Sequence, residues 1–134
     1  MARILIIDDD ASLCEALAAV MASLGHAADQ ALSLRVGLER AAAAEYAAVI
    51  LDVWLPDGNG LAHISALRES PGRPEVIILT GSGDPDGAEL AIGSGAWDYI
   101  TKPPTLNKIR LPVQRALAYR ARQERKARSD LKRE

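Results

Sequence analysis

Three short aliphatic runs, Ile4–Ile7, Ala47–Leu51 and Val76–Leu79, constrain this chain more than any other feature. None of them alternates apolar with polar residues. A strand with one wet face alternates, so an unbroken apolar run needs cover on both faces, as in a parallel sheet flanked by helices. His26–Ala31 and Trp97–Ile100 are two weaker strand candidates. Helical spacing fills the gaps. Residues 11–24 place Leu13, Leu17, Val20, Met21 and Leu24 on one stripe, and residues 33–44, 60–69 and 86–94 carry shorter apolar sets. From Thr105 onward Leu106, Ile109, Val113, Ala116 and Leu117 repeat the spacing. Strict alternation of strand and helix predicts an α/β fold: a doubly wound, five-stranded parallel sheet with right-handed crossovers and helices on both faces.

One domain of this kind accounts for the 134 residues. Cys14 is the only cysteine, which excludes an internal disulfide and a multi-cysteine metal site. Its place among the apolar positions of the first helix predicts a packed thiol. No segment approaches the ~20 apolar residues of a membrane span, and Ile4–Ile7 is too short for a signal-peptide core. A cytoplasmic protein without membrane contact is expected. The formal charge of −2 is unevenly spread: residues 1–119 carry 9 basic and 15 acidic residues, whereas residues 120–134 carry 7 and 3. No aromatic residue is interleaved with the basic tail. It is therefore expected to be a solvated linker helix rather than a nucleic-acid-binding segment.

In open α/β sheets, ligands gather beyond the carboxyl ends of the strands. That edge holds Asp8-Asp9-Asp10 after the first strand and Asp52 after the third. Thr80-Gly81 ends the fourth strand, and Thr101-Lys102-Pro103 follows the fifth. Converging carboxylates repel one another, and a hard divalent cation removes the conflict. Oxygen-only ligands without His or Cys favour Mg²⁺ over Zn²⁺. Lys102 supplies a point charge for a phosphoryl group, and Thr80 supplies a hydroxyl. In this setting Asp52 is a credible nucleophile, since carboxylates form acyl phosphates. Phosphoryl transfer needs mainly positioning and charge neutralisation. Taken singly, each residue also has a plainer use; Asp10, for instance, is placed to cap the helix over 11–24.

Four strings of this chain resemble the motifs of response-regulator receiver domains. They are Ile6-Ile7-Asp8-Asp9-Asp10, Asp52-Val53-Trp54-Leu55-Pro56-Asp57-Gly58-Asn59-Gly60, Ile78-Leu79-Thr80-Gly81 and Gly95-Ala96-Trp97-Asp98-Tyr99-Ile100-Thr101-Lys102-Pro103. They fall in the family's order and spacing over residues 2–120. The third aspartate and the last string are most similar to the NtrC-type subgroup. The resemblance implies a flavodoxin-like strand order, 2-1-3-4-5, and Asp52 as phosphoacceptor. It also implies Mg²⁺ held by Asp8, Asp9, Asp52 and the backbone carbonyl of Trp54. Lys102 and Thr80 would contact the phosphoryl group, Thr80 and Tyr99 would form the switch, and the Lys102–Pro103 peptide bond would be cis. The implied partners are a sensor histidine kinase and an output domain or downstream protein, with transcription as the regulated process.

Residues 1–120 are expected to form the receiver and 121–134 a basic helical linker or tail. Both an excised receiver and a stand-alone interaction or phosphorelay module are compatible with this organisation. A Mg²⁺-dependent phosphatase acting on small molecules is the competing class. It usually needs a second aspartate two positions after the nucleophile, where this chain has Trp54. Enzymatic activity is thus expected to be limited to self-phosphorylation and self-dephosphorylation. Pro112 predicts a kink or break near 108–112 in the last helix, and any homodimer formed through the sparse apolar seam beyond it is expected to be weak.

Overall fold

A computed structural model of the chain describes residues 1–81 and 85–133, with the side chains of residues 85, 86 and 133 excepted. The elements run β1 (Arg3–Ile7), α1 (Ala11–Ser23), β2 (Ala27–Ala31), α2 (Leu34–Ala43) and β3 (Ala48–Asp52). A two-strand hairpin follows, β4 (Trp54–Leu55) and β5 (Gly58–Asn59), then a 3₁₀ turn (Gly60–His63) leading into the short α3 (Ile64–Arg68). The chain continues through β6 (Glu75–Thr80), α4 (Pro85–Gly93), β7 (Asp98–Thr101) and α5 (Leu106–Arg133). The main sheet is parallel throughout, ordered β2-β1-β3-β6-β7. Counting only its own five strands, that is the expected 2-1-3-4-5.

The unalternating runs are buried on both faces, as their composition requires. Ile4, Ile6, Ala48, Ile50, Ile77 and Leu79 face Cys14, Leu17 and Met21 of α1 and Ile109 and Val113 of α5. Leu5, Ile7, Val49, Leu51, Val76 and Ile78 face the other side, against Leu34 and Ala41 of α2, Ile64 and Leu67 of α3 and Ala91 of α4. Alternate residues of each strand thus serve two separate cores. The edge strand β2 is only partly buried and carries Asp29 and Gln30, which explains its weaker signal in the sequence.

Local chemistry fixes the helix starts. Asp10 caps α1 as expected, its carboxylate accepting from Leu13 N–H at 3.1 Å. Ser33 caps α2 through Val36 N–H. The helix expected over 60–69 begins instead as a 3₁₀ turn, with the Asn59 side chain accepting from Leu61 N–H.

Of the kink or break expected near 108–112, the break does not occur: α5 is helical from Leu106 to Arg133 with Pro112 inside it. Ile109, Val113 and Ala116 are buried on either side of the proline and hold that segment on the sheet. The carbonyl that loses its i+4 donor belongs to Lys108, which is exposed to water. Further along, the Arg120 guanidinium donates to the carbonyls of Gly72 and Arg73 at 2.9 and 2.5 Å, and the Tyr119 ring lies 5.2 Å from that of Trp97. From Arg122 to Lys132 every residue is exposed. The expected boundary at 120 falls inside one continuous helix. No helix among the described residues is long and apolar enough to cross a membrane.

Gly37 lets α2 approach β1. A Cβ there would stand 2.5–2.9 Å from three side-chain atoms of Ile7, which is wholly buried. Gly37→Ala is expected to lose stability in chemical denaturation. Overpacking costs ~1–3 kcal/mol, more than the ~1 kcal/mol that alanine contributes as a helix former.

Candidate functional site

The carboxyl ends of β1, β3, β6 and β7 bring the predicted residues together. Asp8 extends β1, its N–H donating to the Ala31 carbonyl, and is wholly buried. Asp52 ends β3 at 5% exposure, while Asp9 is exposed at the rim. One carboxylate oxygen from each of Asp8, Asp9 and Asp52 can be chosen so that all three lie within 4.8 Å of one another. Lys102 reaches across from beyond β7, its Nζ 2.9 Å from Asp8 Oδ2 and 3.4 Å from Asp52 Oδ1. The Lys102 N–H donates to the Thr80 carbonyl at 2.7 Å, so the lysine is anchored directly beside the end of β6. Its peptide bond to Pro103 is cis, as the resemblance implies.

Charge dominates this cluster. Burial, and next to it the Asp8 carboxylate, push the Asp52 carboxyl above its ordinary value against the pull of Lys102. Burial alone would lower the Lys102 ammonium, but Asp8 and Asp52 outweigh it and hold it above its usual range. Asp8 Oδ1 accepts from Asp10 N–H at 2.9 Å. Its Oδ2 is buried 2.9 Å from the Lys102 ammonium and has no other polar donor among the described residues. A buried carboxylate oxygen left this way is a ready cation ligand, and the all-oxygen set fits Mg²⁺ or Ca²⁺. Three carboxylates against one lysine leave a formal −2, the charge that a divalent ion neutralises.

Thr80 is 3% exposed. It pairs with Thr101, two residues from the Ile78–Tyr99 pair, so alternation puts Thr80 and Tyr99 on the same sheet face. Tyr99 is half-buried there against the core shared by α2, α3 and α4. Trp54 is 63% exposed and opens the β4–β5 hairpin immediately after Val53. Cys14 is fully buried beneath the site, its Sγ 3.3 Å from the Asp8 carbonyl. Burial and the Asp8 and Asp10 charges push its thiol up to about 11, so it is the packed group expected from sequence.

The hairpin and the contacts of two residues, one at its tip and one just after it, were not predicted. Gly60 brings its Cα against Asp52, where a Cβ would stand 2.5 Å from the Asp52 carbonyl oxygen. Asp57 accepts from Leu34 and Arg35 N–H, each at 2.9 Å, across more than 20 residues of chain. Asp57 and Gly60 both lie in the Asp52–Gly60 string, but nothing local announces contacts so distant in sequence.

A parallel 2-1-3-4-5 sheet with an acidic cluster and a lysine at its carboxyl edge defines the receiver class of signalling domains. Residues 4–114 match the response regulator receiver domain, and the chain belongs to that family. It is 34% identical over 127 residues to the transcriptional regulatory protein DltR of Streptococcus agalactiae, covering 92% of this chain and 57% of DltR. The chain spans about half the length of the curated relatives it matches. Among solved structures, the beryllofluoride-activated NtrC4 receiver domain dimer superposes with a TM-score of 0.82 at 32% identity, covering 89% of this chain and 98% of that one. NtrX from Brucella abortus gives 0.85 at 29% identity, covering 97% of this chain and 30% of NtrX. The NtrC-type likeness is thus found among solved structures as well as in the motifs.

Asp52→Asn removes one of the crowded charges. Because the folded-state pKa of Asp52 is raised, its contribution is most favourable below the unfolded value and is lost as pH rises through the folded one. Without divalent cations the variant should therefore melt above wild type at pH 7, and the gap should close near pH ~4. Added Mg²⁺ should raise the melting temperature of wild type far more than that of the variant. Thermal scans at both pH values, with and without Mg²⁺, read each outcome.

Proposed function

We propose that this chain is a phosphorylation-controlled switch of a two-component system, taking a phosphoryl group from a histidine kinase onto Asp52 with Mg²⁺ bound beside it. One observation carries the reading: Asp8, Asp9 and Asp52 gather at one sheet edge with Lys102 against two of them. Asp8, Asp9, Asp52 and the Trp54 carbonyl would hold the ion, which would neutralise the charge of the transferring group. Lys102 would pair with the phosphoryl oxygens, and Thr80 would donate its hydroxyl to them. Self-phosphorylation and self-dephosphorylation are the only chemistry proposed, with turnover confined to Asp52.

The switch then runs through Thr80 and Tyr99. Phosphate on Asp52 draws the Thr80 hydroxyl towards it, and Tyr99, on the same sheet face, repacks. Such a change is a shift between two populated arrangements; moving the ratio from 1:99 to 99:1 takes ~5.5 kcal/mol of differential binding. The output is an attached domain or a downstream protein, and the names of the relatives favour transcription as the regulated process. Residues 1–120 are proposed as the receiver and 121–134 as a basic helical linker that does not itself bind nucleic acid. The setting proposed is the cytoplasm.

Incubation with a small acyl phosphate donor should add one phosphate by intact mass, on Asp52, only with Mg²⁺ and not in Asp52→Asn. Amide shifts should reach Tyr99. Equal labelling of the Asn variant refutes the reading.

Two copies are proposed to pair weakly through α5. Beyond Ala121 its apolar residues are only Ala127 and Leu131, too few for a strong coiled coil. Sedimentation of the full chain should show partial association at high concentration, and a chain ending at Tyr119 should be monomeric. A tight dimer that survives the truncation places the interface elsewhere.

A further inference from the structure

We infer that Asp57 is a positioning residue for the cation site, clamping the hairpin that follows Asp52 onto the start of α2. The inference rests on the reading of Asp8, Asp9, Asp52 and the Trp54 carbonyl as a Mg²⁺ site, and it concerns what holds the two halves of that site in register.

Asp8 and Asp9 leave the end of β1, whereas Asp52 and Trp54 belong to β3 and the hairpin. A cation bridging them needs the two segments at a fixed separation. The paired strands fix Asp8 against Asp52, but Trp54 lies beyond the main sheet, in a hairpin joined by only two residue pairs, Trp54 with Asn59 and Leu55 with Gly58. A two-strand hairpin of this size has little stability of its own. It is held at both ends. At its base Gly60 N–H donates to the Val53 carbonyl at 2.7 Å, and the Gly60 Cα rests on the Asp52 carbonyl. At its tip both Asp57 oxygens accept from α2, one from Leu34 N–H and one from Arg35 N–H. Gly58 seats the tip against the Leu34 side chain, which a Cβ there would approach to 2.8 Å.

The other end of the linkage is α2 itself. Gly37, one turn further on, packs directly on Ile7, the residue before Asp8. A single rigid helix therefore touches the strand that delivers Asp8 and Asp9 and, through Asp57, the hairpin that delivers the Trp54 carbonyl. The helix has its own cap in Ser33, so Asp57 adds a link between segments rather than the only satisfaction of the helix end. Residues that orient ligands without touching the ion commonly change metal affinity by about tenfold or more.

Two variants separate positioning from helix stability. Ser33→Ala weakens α2 and leaves the clamp; Asp57→Ala removes the clamp and leaves the Ser33 cap. Calorimetric titration with Mg²⁺ should show affinity lower by about tenfold in Asp57→Ala and unchanged in Ser33→Ala. Asp57→Asn, which keeps one acceptor, should fall between wild type and Asp57→Ala. A second readout needs no metal: amide hydrogen exchange at Val53, Trp54, Asn59 and Gly60 should quicken in Asp57→Ala and not in Ser33→Ala. Wild-type Mg²⁺ affinity in Asp57→Ala, or equal losses in the two alanine variants, overturns the clamp. No saturable Mg²⁺ binding by the wild-type chain overturns the reading of the site, and the clamp with it.

Discussion

Asp8 and Asp52 end neighbouring parallel strands, so the sheet forces two carboxylates together where water is largely excluded. With one carboxylate oxygen of each within 4.8 Å of the other, their repulsion is on the order of 3 kcal/mol at an effective dielectric of ~20. A fold tolerates such a conflict only if something answers it. Lys102 does so in part, from the far side of Thr80, by contacting both carboxylates. One lysine against Asp8, Asp9 and Asp52 leaves two charges unanswered. The site is therefore tense without a divalent cation and receptive to one, and a group that brings or removes charge at Asp52 has leverage over every element meeting there.

The surrounding structure holds that tension by close backbone approach rather than by many polar contacts. Gly37 allows α2 to rest on Ile7, and Gly60 allows the start of the 3₁₀ turn to rest on the Asp52 carbonyl. Both contacts disappear if a methyl group is added. The sheet carries a separate core on each side. Thr80 and Tyr99 look onto the side shared by α2, α3 and α4, whereas α5 closes the other. From Arg122 to Lys132 every residue of α5 is exposed, and this stretch is rich in basic side chains.

Much of this was legible in the chain itself. Unbroken runs such as Val76–Leu79 demand cover on both faces, and their alternation with helical stripes leaves few topologies besides a doubly wound sheet. The acidic and basic residues of the site stand directly after strands, where position along the chain already implies position in space. Asp8, Asp9, Asp52, Thr80 and Lys102 were accordingly found from sequence, and the structure brings all five to one edge. The Asp10 cap was readable for the same reason, being a contact of three residues' span. Pro112 does not break the last helix. Proline disfavours a helix interior by a few kcal/mol, but the burial of Ile109, Val113 and Ala116 around it holds the helix through that point.

The amino-acid sequence by itself determined the strand and helix pattern, the strand-end position of the acidic, hydroxyl and lysine side chains and the charge that they bring, because these follow from short-range periodicity and residue chemistry. Only the tertiary structure decided how those groups meet. Lys102 spans two carboxylates from another strand, Asp57 reaches the start of α2 across more than 20 residues, and Gly60 matters because the Asp52 carbonyl lies against it. Each of these depends on distances between segments remote in the chain, which are set by the packing of helices on both faces of the sheet and leave no trace in local spacing.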